Sequence, residues 1–227
     1  GQTKLTWTTK QTGAVGRMKT TGLETLIQRV AGELGVFPHG PELVTLLQEA
    51  YGGKNTDLQT GTFRFLHQLF GVYGLVVLIP DHARLKSQFK SICEDDLFRQ
   101  TPYEVVQQTV QQLQEKYEVQ ARPRPINLFY LHEQIRNRIE KRGDHFVVVD
   151  TALQFKKEEL QQELNAHPER FSPNVILRGL FQEMILPNVA TIGGGGELAY
   201  WLELKGLFDH YRVPYPVVVL RNSFRWC

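Results

Sequence analysis

Two cysteines in 227 residues, Cys93 and Cys227, are too few for a disulfide framework, and they read as free thiols of a reducing compartment. No window reaches the roughly 18 uninterrupted apolar residues of a membrane span, and no basic-then-apolar leader opens the chain. A cytoplasmic protein without a membrane partner is the expectation. Charge of one sign is missing as well. With 26 basic and 24 acidic residues the formal net charge is +2, unlike a surface built to neutralise nucleic-acid phosphates. Neither Cys-x-x-Cys nor His-Glu-x-x-His occurs, and the seven histidines lack ligand spacing, so no metal site is expected. The absence of Gly-x-Ser-x-Gly and of Gly-x-x-x-x-Gly-Lys-Ser/Thr argues against a serine hydrolase and a P-loop NTPase.

What is present is enough apolar residue to bury a core, 41% of the chain, arranged as strand-length runs between amphipathic segments. That alternation predicts an α/β protein with a mostly parallel sheet. Leu5 to Thr8 is a weak strand candidate. Helices are predicted from about Gly22 to Leu34, with Gly35 as a left-handed cap, from Pro41 to the stop at Gly52-Gly53, and over Thr62 to Phe70. Leu75 to Ile79 is continuously apolar and β-branched, which predicts a strand buried on both faces. Tyr103, Val106, Val110, Leu113 and Tyr117 keep a helical period, with glutamines on the solvated side. After the extended Arg122-Pro123-Arg124-Pro125, strands are predicted at Ile126 to Leu131 and Phe146 to Val149. A short charged helix with Arg136, Arg138, Lys141 and Arg142 is expected between them, then another helix from Lys157 to Asn165.

The last quarter carries the chemistry. A helix starting near Pro173 places Asn174, Arg178 and Gln182, four residues apart, on one face. Arg178 then lies beside apolar neighbours and needs an anionic or carbonyl partner, either a salt bridge or a ligand carboxylate or phosphate. Val189 to Ile192, the glycines Gly193, Gly194, Gly195 and Gly196, and a helix from Leu198 to Tyr211 follow. Strand, glycine loop and helix form a layout in which backbone N–H groups approach a ligand closely and positive φ is tolerated. Glu197 in the first turn suits the helix dipole but repels a phosphate, so it points to an ammonium or sugar hydroxyls, or to a simple capping charge. Trp201 is expected in the core. Val217 to Leu220 is a further buried strand. If these strands share a sheet, Asp81, the glycines, Glu197 and Asn222 gather at its carboxyl edge. Gly13 to Gly16 with Arg17 offer a second nest of N–H groups beside a guanidinium, or a plain turn.

These residues carry a family resemblance. Thr12-Gly13-Ala14-Val15-Gly16-Arg17-Met18, Phe171-Ser172-Pro173-Asn174 continuing to Leu177-Arg178 and Leu186-Pro187, and Ile192-Gly193-Gly194-Gly195-Gly196-Glu197-Leu198-Ala199-Tyr200-Trp201 resemble the bacillithiol biosynthesis cysteine-adding enzymes called BshC. The resemblance implies a Rossmann-like core, related to class I nucleotidyltransferases, with helical connecting insertions. Residues 1–227 would then be a partial core with an insertion at about 82–170. It also implies a cysteine ligase that condenses L-cysteine with glucosaminyl-malate, and a homodimer formed through a coiled coil beyond Cys227. With Gly1 in place of methionine, the chain reads as cut at both ends and inactive alone. Amide formation needs an activated acyl group, and ATP or another adenine nucleotide is the expected cofactor. Family members commonly carry proline where this chain has Gly179, a change expected to loosen Arg178. The competing expectations are a non-catalytic nucleotide-binding or scaffold domain of the same fold, and an adenylating ligase with another substrate.

Overall fold

The computed structural model describes residues 4–223. They form two compact units, residues 4–79 with 132–136, and residues 80–131 with 137–223.

The first unit is helical. Helices α1 (Leu23–Leu34), α2 (Gly40–Tyr51) and α3 (Leu58–Phe70) follow one another, α2 packing on both neighbours. Pro41 sits in the first turn of α2, where its missing N–H costs nothing. α3 starts earlier than its apolar period suggests because Asp57 caps it, accepting the Thr60 N–H at 2.9 Å. The left-handed cap expected at Gly35 is not there: Gly35 ends α1 in right-handed geometry (φ −59°), and the left-handed residue is Gly22 at the opposite end (φ 85°). Gly13 has φ 89°, and a Cβ there would stand 2.7 Å from the Gln134 carbonyl, so only glycine fits. Leu5 to Thr8 is not a strand, and neither is Leu75 to Ile79. In the latter, Val76 is 68% exposed. A strand is made by ladder hydrogen bonds as well as by apolar side chains, and among the described residues this run has no partner strand.

The second unit opens with α4 (Ala83–Ser87), α5 (Lys90–Phe98) and α6 (Thr101–Leu113). A five-stranded sheet follows, built from β1 (Leu128–His132), β2 (Ile135–Arg142), β3 (His145–Val148), β4 (Gln154–Phe155) and β5 (Phe171–Pro173) in the order β4-β3-β2-β1-β5. Its pairs β1–β5, β2–β3 and β3–β4 are antiparallel, with Leu128 opposite Pro173, Ile139 opposite Val148 and Phe146 opposite Phe155. The mostly parallel sheet expected from the sequence is therefore corrected here. So is the charged helix over Arg136 to Arg142, which is strand β2. Glu133 (φ 46°) and Gly143 (φ 60°) reverse the chain at its two ends, and neighbouring strands on both sides satisfy the backbone of a segment whose charges alone suggest a solvated helix. Helix α7 (Lys157–Ala166) packs on β3 and β4 with Leu160 and Leu164 fully buried.

The remaining elements are α8 (Val175–Ile185), β6 (Ala190–Gly193), α9 (Gly195–Glu203), α10 (Lys205–Tyr211) and β7 (Val217–Leu220). β6 and β7 are parallel, Ala190 opposite Val217 and Gly193 opposite Leu220, so β6-α9-α10-β7 is a βαβ crossover, the repeating piece of a Rossmann-like fold. The single helix expected over Leu198 to Tyr211 is two, broken at Leu204. β7 is not buried as expected: Val217 is 64% and Leu220 60% exposed. Trp201 is in the core, 1% exposed, against Phe208 and Tyr215.

Candidate functional site

The site grows from two helix starts. Asn174 caps α8 by accepting the Ile176 N–H at 2.8 Å, which fixes the helix one turn before Arg178. Gly194 caps α9, and the first intrahelical bond returns from Leu198 N to its carbonyl at 2.9 Å. The N–H groups of Gly195 and Gly196 therefore face outward from a positive dipole end without intrahelical acceptors.

Arg178 and Glu197 meet across these starts. Arg178 Nη2 donates to Glu197 Oε1 at 3.2 Å and also to the Tyr200 hydroxyl, while Tyr200 donates to Glu197 Oε1 at 3.1 Å. The two charged side chains are about half and one third exposed. Burial pushes the Glu197 carboxyl up, but hydrogen bonds from Tyr200 and Arg178, the guanidinium charge and the Gly194 N–H outweigh it, and the net shift is downward. Glu197 is thus a carboxylate at neutral pH, and by taking the Gly194 N–H it is also a capping charge. For Tyr200, burial is the largest influence and raises the phenol.

The four glycines do different things from those expected. None has positive φ. A Cβ on Gly193 would stand 3.0 Å from Glu197 Cγ, so this glycine leaves room for the carboxylate arm to fold back. One on Gly194 would stand 3.3 Å from Arg221 Nη2, which places a second guanidinium over the start of α9. Gly195 has open space in front of it, and Gly196 has only Gln120 Oε1, at 4.0 Å. Both glycines are exposed.

Of the other candidates, Gln182 donates to Glu183 Oε1 at 3.1 Å, and Asn222 is exposed just beyond β7. Asp81 holds the buried Lys86 ammonium at 2.8 Å, and its place at a strand end disappears with the strand over Leu75 to Ile79. Arg17 closes a 3₁₀ turn, Val15–Arg17, in the first unit. Gly179, expected to loosen Arg178, packs inside α8 against the crossover. It is buried, and a Cβ there would stand 3.3 Å from the Trp201 ring, so its lack of a side chain lets α8 seat on the core of the crossover.

Sequence reasoning overlooked Tyr200 and Arg221. The Glu197-x-x-Tyr200 spacing, one helical turn, signals the first. Arg221 directly follows β7, and parallel pairing of β6 with β7 is what brings it to Gly194. Among the described residues no group of three or more His, Cys, Asp or Glu could hold a metal ion. No helix among them is long and apolar enough to cross a membrane.

Comparison with known proteins gives the family of the chain. The profile of the family described as bacillithiol biosynthesis BshC, N-terminal Rossmann-like domain, matches residues 1–222. A BshC protein of Flavobacterium johnsoniae, carrying the name of a cysteine ligase, is 43% identical over 220 residues, which is 97% of this chain and 41% of the relative. A protein of the same name from Cytophaga hutchinsonii is 42% identical over 219 residues, 96% of this chain and 40% of the relative. One from Salinibacter ruber is 31% identical over 217 residues, 93% and 39%. The chain spans about two fifths of the length of these relatives. With the domain profile matched from residue 1 to residue 222 and a βαβ crossover at its C-terminal end, the chain belongs to the BshC N-terminal Rossmann-like domain family.

Proposed function

We propose that the protein to which this chain belongs is the cysteine ligase of bacillithiol biosynthesis, joining L-cysteine to glucosaminyl-malate with loss of water. The observation that carries the reading is the meeting of Arg178, Glu197 and Tyr200 at the open start of α9, with Arg221 beside Gly194. Both substrates carry carboxylates and both carry amines. Arg178 and Arg221 supply charged donors for a carboxylate, and the Gly195 and Gly196 N–H groups add neutral ones. Glu197, ionised at neutral pH, takes an ammonium or a sugar hydroxyl. Two opposite charges side by side would orient a zwitterion such as cysteine end to end.

Amide formation from a free carboxylate needs activation, which ATP or another adenine nucleotide would supply. Arg221 and the outward N–H groups fit a phosphate, and the Glu197 charge would confine it to the Arg221 side of the helix start. In this reading the complete protein is a cytoplasmic homodimer.

The test is incubation of the complete protein with cysteine and glucosaminyl-malate, with and without ATP, followed by mass spectrometry. Bacillithiol is the expected product, and the ATP comparison identifies the nucleotide requirement. Absence of product from folded protein under every nucleotide condition favours a second reading, a non-catalytic domain of the same fold. That alternative draws on Glu197 being already satisfied by Arg178, Tyr200 and the Gly194 N–H, as a structural ion pair would be.

A further inference from the structure

Asn127, just before β1, is fully buried, and a buried amide needs a partner for every donor and acceptor. Its Nδ2 donates to Asp96 Oδ1 at 3.0 Å and to the Arg124 carbonyl at 2.7 Å, and its backbone N–H donates to Asp96 Oδ2 at 2.7 Å. On the acceptor side, Oδ1 takes the Arg124 N–H and Asn174 Nδ2, each at 3.1 Å, and the backbone carbonyl takes the Asn174 N–H at 2.9 Å. Asp96 on α5 therefore grips Asn127 with both oxygens, and Asn127 grips Asn174 with both of its carbonyl groups. Asn174 in turn caps α8, and its own carbonyl accepts the Arg178 N–H at 2.9 Å.

Two features of this chain exceed what folding alone requires. A cap needs only an oxygen, so serine or aspartate would hold Ile176 equally well; the second amide function, donating to Asn127, requires asparagine. Asp96 is 0% exposed, and a carboxylate is among the costliest groups to desolvate, so an apolar side chain would fill the same space more cheaply. Both residues make sense if the backbone that carries Arg178 has to be held in one place.

We propose that Asp96 and Asn127 are positioning residues of the Arg178–Glu197 site, acting through Asn174 and touching no substrate. The inference rests on the reading of Arg178 as the carboxylate-binding group. Its test is arranged so that the two can fail separately. In the complete protein labelled with ¹⁵N-arginine, rotation of the Arg178 guanidinium about its Cζ–Nε bond reports how firmly Glu197 and Tyr200 hold it. Asn174→Asp keeps the capping oxygen and places a second oxygen where Nδ2 donated to Asn127. Asp96→Asn keeps the shape and sets an N–H against a donor of Asn127. Leu164→Ala in α7 is the control, lowering stability while every hydrogen-bonding group of the relay is kept.

Rotation about fivefold faster or more in both relay variants, and unchanged in the control, is the expected result, the size of one weakened hydrogen bond. Wild-type rotation in Asn174→Asp, or equal acceleration in Leu164→Ala, overturns the proposal. Should Asp96→Asn not fold, Asn174→Asp against the control decides alone. With the ligation assay, the relay variants should raise KM for the substrate whose carboxylate Arg178 binds more than they lower kcat. If wild-type protein makes no product, the ligase reading falls while the guanidinium comparison still judges the relay.

Discussion

At the scale of single residues, exposure separates what Glu197 does for stability from what it does in the site. The pair it makes with Arg178 is open to solvent, and such pairs contribute less than about 1 kcal/mol. Glu197→Gln should therefore leave thermal unfolding almost unchanged while bacillithiol formation by the complete protein falls strongly; melting curves and product mass spectra check the two halves. Because the folded carboxyl lies below its ordinary value, its contribution is present at neutral pH and is lost as the solution is acidified through the folded value. Asp96 has the opposite sign. Burial, opposed by the two Asn127 donors and reinforced by Asp95, pushes it from 3.8 up to about 7. The folded state then binds the proton more tightly than the unfolded chain, so stability falls as pH rises from about 4 to about 7 and is level above that. Denaturant unfolding at pH 5 and pH 8 should show wild-type protein losing more stability across the interval than Asp96→Asn does.

At the scale of elements, α8 is set by contacts at both of its sides. Asn174→Ala removes the cap oxygen and the donor to Asn127 together, and should cost about 1–2 kcal/mol in chemical denaturation. Gly179→Val would drive a branched side chain into Trp201 and Leu204, both fully buried, and should cost about 1–3 kcal/mol. Since that contact seats the helix bearing Arg178, ligation by the complete protein should decline with it. Several helix boundaries were legible in the sequence from a local signal: Pro41 for α2, the apolar period of Leu23 to Leu34 for α1, Pro173-Asn174 for α8, whereas the Asp57 cap that starts α3 went unread. β2 was not legible, because its charged residues satisfy a helical reading locally and only the strands on either side choose otherwise.

At the scale of the molecule, the parallel pair β6 and β7 leaves Ile192, Val217 and Leu220 exposed, although parallel strands are ordinarily covered on both faces. This chain by itself should bind an apolar dye such as ANS, and Ile192→Lys with Val217→Lys should reduce that fluorescence with little change in melting temperature. Failure of the double variant to reduce it would place the dye site elsewhere.

The sequence by itself determined α1, α2, α3, α6, α7 and α8 and the βαβ order at the C-terminal end, and it set the candidate residues Asn174, Arg178, the glycines and Glu197 within 24 residues, in motifs that resemble BshC. Tertiary structure decided the rest. Strand pairing turned a charged stretch into β2, left Leu75 to Ile79 without a ladder, and brought Arg221 to Gly194. It also joined Asp96, Asn127 and Asn174, residues 31 and 47 positions apart, into one hydrogen-bonded chain. Period and propensity are written in neighbouring residues. Partners for buried polar groups are fixed only when distant segments pack.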